Sequence, residues 1–237
     1  MSFRSSSTSP STSPLTAPLT LALIAMAGAN AAANRLPGAS VAVGLGLTGV
    51  LGVIARAGGL SAADVGLARS TWGAGLRWGG ASAAVVAAGY GVALLIPAAR
   101  DAVAGSAAGS WPSTLAASLV VIPLATVVPE EFAFRGVLWG LLRRRSGPRV
   151  ATAVSSALFG VWHVLPALSG GAANEAVDGV VGGGTAGAVL RVLGTIVFTG
   201  AAGVLLCELR ARTGSLLAPI MLHWAVNGLG EIFVKLA

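Results

Sequence analysis

The sequence predicts an all-α protein: a polytopic bundle of transmembrane helices with about seven spans, six to eight at the limits. Three observations predict it. Hydrophobic residues fill 55% of the 237 positions and charged residues only 10%, against roughly 25% charged in a soluble domain. The mean hydropathy is +0.83. The apolar residues collect in runs near the ~20 residues that a spanning helix needs, and most arginines fall between the runs. Such a chain cannot clothe a soluble surface, so lipid is its solvent.

The elements follow in order. Residues 1–14 are rich in Ser, Thr and Pro and read as a disordered tail, because they cannot bury enough apolar surface to fold. They lack the charge and cleavage pattern of a signal peptide, so the first apolar run is expected to stay as a span. The spans are expected at 15–34, 38–55, 79–99, 114–142, 150–168, 186–208 and 214–235. Two prolines, Pro123 and Pro129, predict a kink or break in the fourth. A cytoplasmic loop over 56–78 opens with Ser61 and Asp64, a capping-box-like pair that suggests a short interfacial helix. Residues 169–185 hold Gly170, Gly171, Gly182, Gly183 and Gly184 with Glu175 and Asp178, the composition of a mobile outer connector. No internal repeat is visible. The chain divides into the tail (1–14), N-terminal membrane helices (15–112) and a helical core (113–237).

Net charge is +7, from 14 Arg and one Lys against eight acids. With a cytoplasmic N-terminus, Arg4, Arg56, Arg69, Arg77, Arg143, Arg144, Arg145, Arg149, Arg210 and Arg212 face the inside. Arg35, Arg100, Arg191 and Lys235 face the outside. This obeys the positive-inside bias and predicts a multi-pass protein of the cell membrane. The same distribution makes lipid the partner and argues against nucleic acid. The single cysteine, Cys207, sits in an apolar run and reads as packing.

Ionisable side chains within a span cost on the order of 2.5–3.5 kcal/mol each by insertion scales, so each needs a reason. The fourth span carries Glu130, Glu131 and Arg135. The fifth carries Phe159 and His163, and the seventh His223 and Asn227; these are the only two histidines. At 1.5 Å rise per residue, Glu130 lies ~18 Å deep, His163 ~20 Å, His223 ~14 Å and Asn227 ~20 Å. Three helices thus bring polar groups to one layer. Glu131 and Arg135 are one turn apart and can pair; so are His223 and Asn227, which point the same way. Glu130 has no partner on its own helix, and His163 is the natural candidate. Hydrolysis fits this set. A carboxylate can take a proton from water, a histidine can hold that water, and a second histidine with an amide can stabilise an oxyanion. Two histidines and a carboxylate could equally hold zinc.

Other motifs fall away. Gly44-Leu45-Gly46-Leu47-Thr48-Gly49 matches a dinucleotide fingerprint formally but lies in an apolar span, without the strand–helix context that the fingerprint needs. No His-Glu-x-x-His pattern and no serine-protease elbow occurs.

Glu130-Glu131-x-x-x-Arg135, Phe159-x-x-x-His163 and His223-x-x-x-Asn227, in this order on separate helices, resemble the three motifs of the CPBP family of intramembrane proteases. That family includes the type II CAAX prenyl endopeptidases and is also known as the Abi family. The resemblance covers roughly residues 114–230. It implies that Glu130 is the general base, that His163 holds the water with it, and that His223 and Asn227 form the oxyanion hole. Glu131, Arg135 and Phe159 become supporting residues. The family is often labelled metalloprotease, while a metal-free, glutamate-dependent mechanism is ascribed to eukaryotic-type relatives. The metal-free form is favoured and no cofactor is expected; zinc stays open, with Glu130, His163 and His223 as its ligands. Bulky Trp224 directly after His223 departs from relatives that often carry a small residue there. The implied substrate is a membrane-associated peptide or protein, with prenylated CAAX-type chains as one class. The alternative is a non-catalytic protein: a transporter, which would be expected to show repeated halves, or a partner giving immunity to a peptide toxin.

Overall fold

The computed structural model describes residues 15–103, 109–169, 182 and 184–237. The expected tail over 1–14, and most of the expected connector over 169–185, lie outside the described residues. Those described form seven long helices and no strand. They are α1 (Thr16–Arg35), α2 (Ser40–Ala57), α3 (Trp72–Ala93), α4 (111–146), α5 (148–162), α6 (Gly184–Thr213) and α7 (Leu217–Leu236). Five described segments are long and apolar enough to cross a membrane. One of these, Trp111–Leu168, contains both α4 and α5.

Exposure inverts the pattern of a soluble protein. Val197 and Phe198 are 71% and 74% exposed, whereas Glu131 and Arg135 are 0% exposed. Apolar side chains face outward because the surrounding solvent is itself apolar, and the chain is an integral membrane protein.

Gly147 divides α4 from α5. Its φ of 80° and ψ of 170° suit glycine at a helix C-terminus, and Pro148 then starts the next helix where no N–H is needed. The two helices fold back antiparallel. Trp139 donates to Thr152 Oγ1, Ser155 to Phe134 O and Trp162 to Glu130. α5 ends at Trp162, six residues before the expected limit of the fifth span. His163 turns the chain with φ −84° and ψ 0°, and a short helix, Val164–Leu168, follows.

Where a kink or break is expected, α4 changes register and is not broken. Segments Ala117–Val121, Pro123–Val127 and Phe132–Leu138 are wound as π-helix. Here Ile122 N–H bonds to Ala117 O and Val128 N–H to Pro123 O, each five residues back. The wider turn absorbs a proline that an α-turn would resist, and the helix runs on. A cost remains: by the same register Ser118 O and Leu124 O should bond to positions 123 and 129, which are prolines without an N–H. α2 meets the second of these carbonyls with Gly44, where a Cβ would stand 2.7 Å from Leu124 O. Close approach between helices is thus the use of a glycine in the formal dinucleotide string. Small residues do the same elsewhere: Gly160 lies against Ile196, Gly203 against Ser156, and Gly75 and Gly79 against Ser215 and Met221, as is usual where membrane helices pack tightly.

The loop after α2 spans 58–71, because α3 begins at Trp72, inside the segment 56–78 expected as loop. Trp72 and Trp78 are exposed and lie near Arg69 and Arg77, as in the aromatic belt of a membrane interface. Ser61 and Asp64 do form the reciprocal bonds of a capping box, yet no interfacial α-helix follows; only turns and a 3₁₀ turn, Arg69–Thr71, do. Tertiary docking has taken over. Asp64 Oδ1 accepts from Arg143 at 3.1 Å and Oδ2 from Arg144 at 2.6 Å. Arg210 donates to the Ala63 and Asp64 carbonyls. Burial alone would raise the Asp64 carboxyl, but bonds from Ser61 and the Arg144 guanidinium outweigh it and hold the group well below the usual carboxylate range. The loop therefore ties the Arg-rich ends of α4 and α6 together.

Candidate active site

The site grows from the last turns of α5 and the middle of α4 and α7. Glu131 is fully buried, and its Oε1 accepts from Arg135 Nη1 at 3.0 Å and from His223 Nδ1 at 2.8 Å. Two cationic or polar donors on one oxygen offset the desolvation of the carboxylate. The Arg135 guanidinium sits 4.0 Å from the centre of the Phe159 ring, a cation–π contact that serves a charge denied water. Its Nε and Nη2, with Glu131 Oε2, find no hydrogen-bond partner among the described residues.

Phe159 is the hub of the cluster. The His163 ring packs edge-on to it at 4.6 Å and the His223 ring at 6.0 Å. Both imidazoles, the acid pair and Arg135 thereby belong to one assembly, as the common depth in the sequence predicts. His163 Nδ1 lies 2.8 Å from Phe159 O. A carbonyl only accepts, so Nδ1 carries a proton, and in the neutral ring Nε2 then holds the lone pair. His223 is held likewise through Nδ1 on Glu131, which leaves its Nε2 4.0 Å from Glu130 Oε2.

Glu130 is 8% exposed, and here the structure corrects one expectation. Its hydrogen bond comes from Trp162 Nε1 to Oε1 at 2.9 Å, not from His163. The one-residue turn at His163 sends that imidazole back to its own helix, so the preceding Trp162 faces α4. Asn30 of α1 donates to Trp162 O at 3.0 Å and steadies this end of α5. Trp162 has no role in the sequence reading. A signal is present in the chain, since an indole N–H in an apolar helix needs an acceptor and Glu130 needs a donor. Oε2 of Glu130 has no hydrogen-bond partner among the described residues. Asn227 is half-buried one turn beyond His223, and no hydrogen bond joins it to a described residue.

Zinc needs three or four protein donors at about 2 Å. Among the described residues no three His, Cys, Asp or Glu side chains are grouped to hold a metal. Glu130 and His223 face each other at 4.0 Å, while the third residue of the expected trio, His163, turns its Nδ1 to Phe159 O.

A family model, that of the Rce1-like type II CAAX prenyl endopeptidases, matches residues 112–229. The chain belongs to this family. The matched stretch begins at the start of α4 and ends in α7, so it contains Glu130, Glu131, Arg135, Phe159, His163, His223 and Asn227 together. Membership supports a membrane-embedded protease of the CAAX type. No curated protein and no solved structure is significantly similar to the chain.

Proposed function

We propose that this chain is an intramembrane endopeptidase that cleaves a peptide bond of a membrane-associated CAAX-type substrate with water activated by Glu130. One observation carries the reading: Glu130 has one oxygen fixed by Trp162 and the other, without a donor among the described residues, facing His223 Nε2 at 4.0 Å. A single water spans that separation with a hydrogen bond to each group. Glu130 then takes a proton from the water as its oxygen attacks the scissile carbonyl. His163, with Nε2 free to accept, helps to hold the water. His223 and Asn227 supply donors to the oxyanion, and Glu131 gives the His223 ring the negative partner that suits its doubly protonated form. Protonated Glu130 returns the proton to the leaving amine. The proposed orientation places the N-terminus and the Arg-rich end of the bundle on the cytoplasmic side of the cell membrane, as the charge asymmetry favours.

The test uses the purified full chain in detergent and a farnesylated, internally quenched peptide ending in Cys-aliphatic-aliphatic-X. Glu130→Ala and His163→Ala are expected to abolish cleavage while the protein inserts and accumulates normally. Full activity in Glu130→Ala would remove that residue as the base. Cleavage should also survive thorough chelation; its loss, with one zinc per chain in the pure protein, would overturn the metal-free step.

A further inference from the structure

We propose that Ser118 and Trp224 are positioning residues, a reciprocal clamp that sets the rotation of α7 and so aims His223 and Asn227; the catalytic half of this statement rests on the function proposed above. Pro123 creates the need for the clamp. Ile122 N–H bonds to Ala117 O, so the next carbonyl in that register, Ser118 O, should receive the N–H of residue 123. Proline has none. Ser118 is fully buried, and a carbonyl left unsatisfied in lipid is costly because no water can replace the missing donor.

Trp224 fills the gap from another helix. Its Nε1 donates to Ser118 O at 3.0 Å. Ser118 Oγ in turn donates to Gly228 O at 2.8 Å. The indole reaches α4 only because it lies across Gly228, where a Cβ would stand 2.6 Å from Nε1. A third bond, from the Tyr90 hydroxyl of α3 to Val226 O at 2.8 Å, falls on the same turn. The three cross-helix bonds end at residues 224, 226 and 228, bracketing Asn227, whose side chain has no hydrogen bond to a described residue. Aim along α7 is therefore set by backbone and indole contacts that flank Asn227 on the helix, and a proline in α4 leaves free the acceptor that the indole uses.

The test is a double-mutant cycle between Trp224→Phe and Pro123→Ala in the full chain. Phenylalanine keeps the ring and removes only the N–H; alanine at 123 returns a backbone N–H to Ser118 O. On the farnesylated quenched peptide, Trp224→Phe is expected to lower kcat about ten-fold, the rate equivalent of one hydrogen bond, with KM unchanged. The loss should shrink to less than about two-fold in the Pro123→Ala background. In an Asn227→Ala background Trp224→Phe should cost less kcat than in the parent, because one of the two groups it aims is already gone; a merely structural role would not produce that coupling. Equal losses with and without Pro123 would overturn the clamp. Coupled thermal midpoints with an unmoved kcat would overturn the positioning role. The midpoints are read without substrate, so they decide the clamp even if the peptide is not cleaved, a result that would count against the proposed function alone. Ser118→Ala, which removes the return bond to Gly228 O, supplies an independent variant with the same expected split between kcat and KM.

Discussion

The molecule holds two clusters of acids and arginines, and they are built differently. At the Arg-rich end, the Asp64 carboxylate takes two bonds from Ser61, one from Arg143 and one from Arg144. Both of its oxygens are satisfied. In the middle of the bundle, Glu130 Oε2, Glu131 Oε2, Arg135 Nε and Arg135 Nη2 are buried without partners among the described residues. The first cluster is a fastening: its charge goes into loop docking, and of its buried polar atoms only Arg210 Nε is without a partner among the described residues. The second keeps polar atoms in reserve at high cost, since a buried group without a partner loses its hydration without compensation. Reserve of that kind is expected where a site must bind water and a developing charge.

Three predictions separate the clusters. The largest effect should come from Arg135→Met, which leaves the buried Glu131 carboxylate with His223 alone as its partner; breaking one side of a buried pair costs about 3–5 kcal/mol. The thermal midpoint in detergent should fall steeply, and Glu131→Gln in the same background should recover part of it. A midpoint within a degree or so of the parent would show that the pair does not carry the core.

Trp162→Phe should act in the opposite way. It removes one donor from Glu130 and keeps the ring, so cleavage of the quenched peptide should slow by about ten-fold, the rate equivalent of one hydrogen bond, while the midpoint barely moves. Unchanged kcat would free Glu130 from Trp162.

The smallest of the three concerns Asp64. Its carboxyl is held below the ordinary range in the folded protein, so the docked loop favours folding at pH values above the unfolded pKa, near 4. That contribution declines as pH falls from there towards the lower folded value. Arg143 and Arg144 are partly exposed, which screens the effect to about 1 kcal/mol. Asp64→Asn should lower the midpoint at pH 7 by a few degrees and flatten its slope below pH 5. A parallel slope in parent and variant would assign the acid sensitivity elsewhere.

Much of this is legible in the chain, for physical reasons that differ by region. Long apolar runs mark helices wherever lipid is the solvent, and α1, α2, α6 and α7 fall within a few residues of the expected spans. The start of α3 is hidden because Trp72–Gly80 mixes Arg77 with glycines, which reads as loop by hydropathy although the helix continues through it. Pro123 and Pro129 announce trouble in α4 but not its form; a wider register and a kink satisfy the same constraint. At the site, the pairing of Glu131 with Arg135 follows from one-turn spacing, and the gathering of the histidines follows from depth. Which side chain serves Glu130 does not, since that depends on how His163 ends α5. The Asp64 knot is also out of reach: its partner Arg144 is 80 residues away in the chain, and both have local explanations as a capping residue and a topological anchor.

The thermal midpoint of Glu130→Gln, read beside its cleavage rate, bears most directly on the claim that the central cluster is built for chemistry at the expense of stability. Glutamine keeps an oxygen for Trp162 and removes a buried charge whose second oxygen has no donor among the described residues. The expected midpoint is equal to or above that of the parent, as where function strains a site, in a protein that no longer cleaves the peptide. A midpoint that drops as far as that of Arg135→Met, with cleavage retained, would make Glu130 a structural carboxylate and contradict that claim.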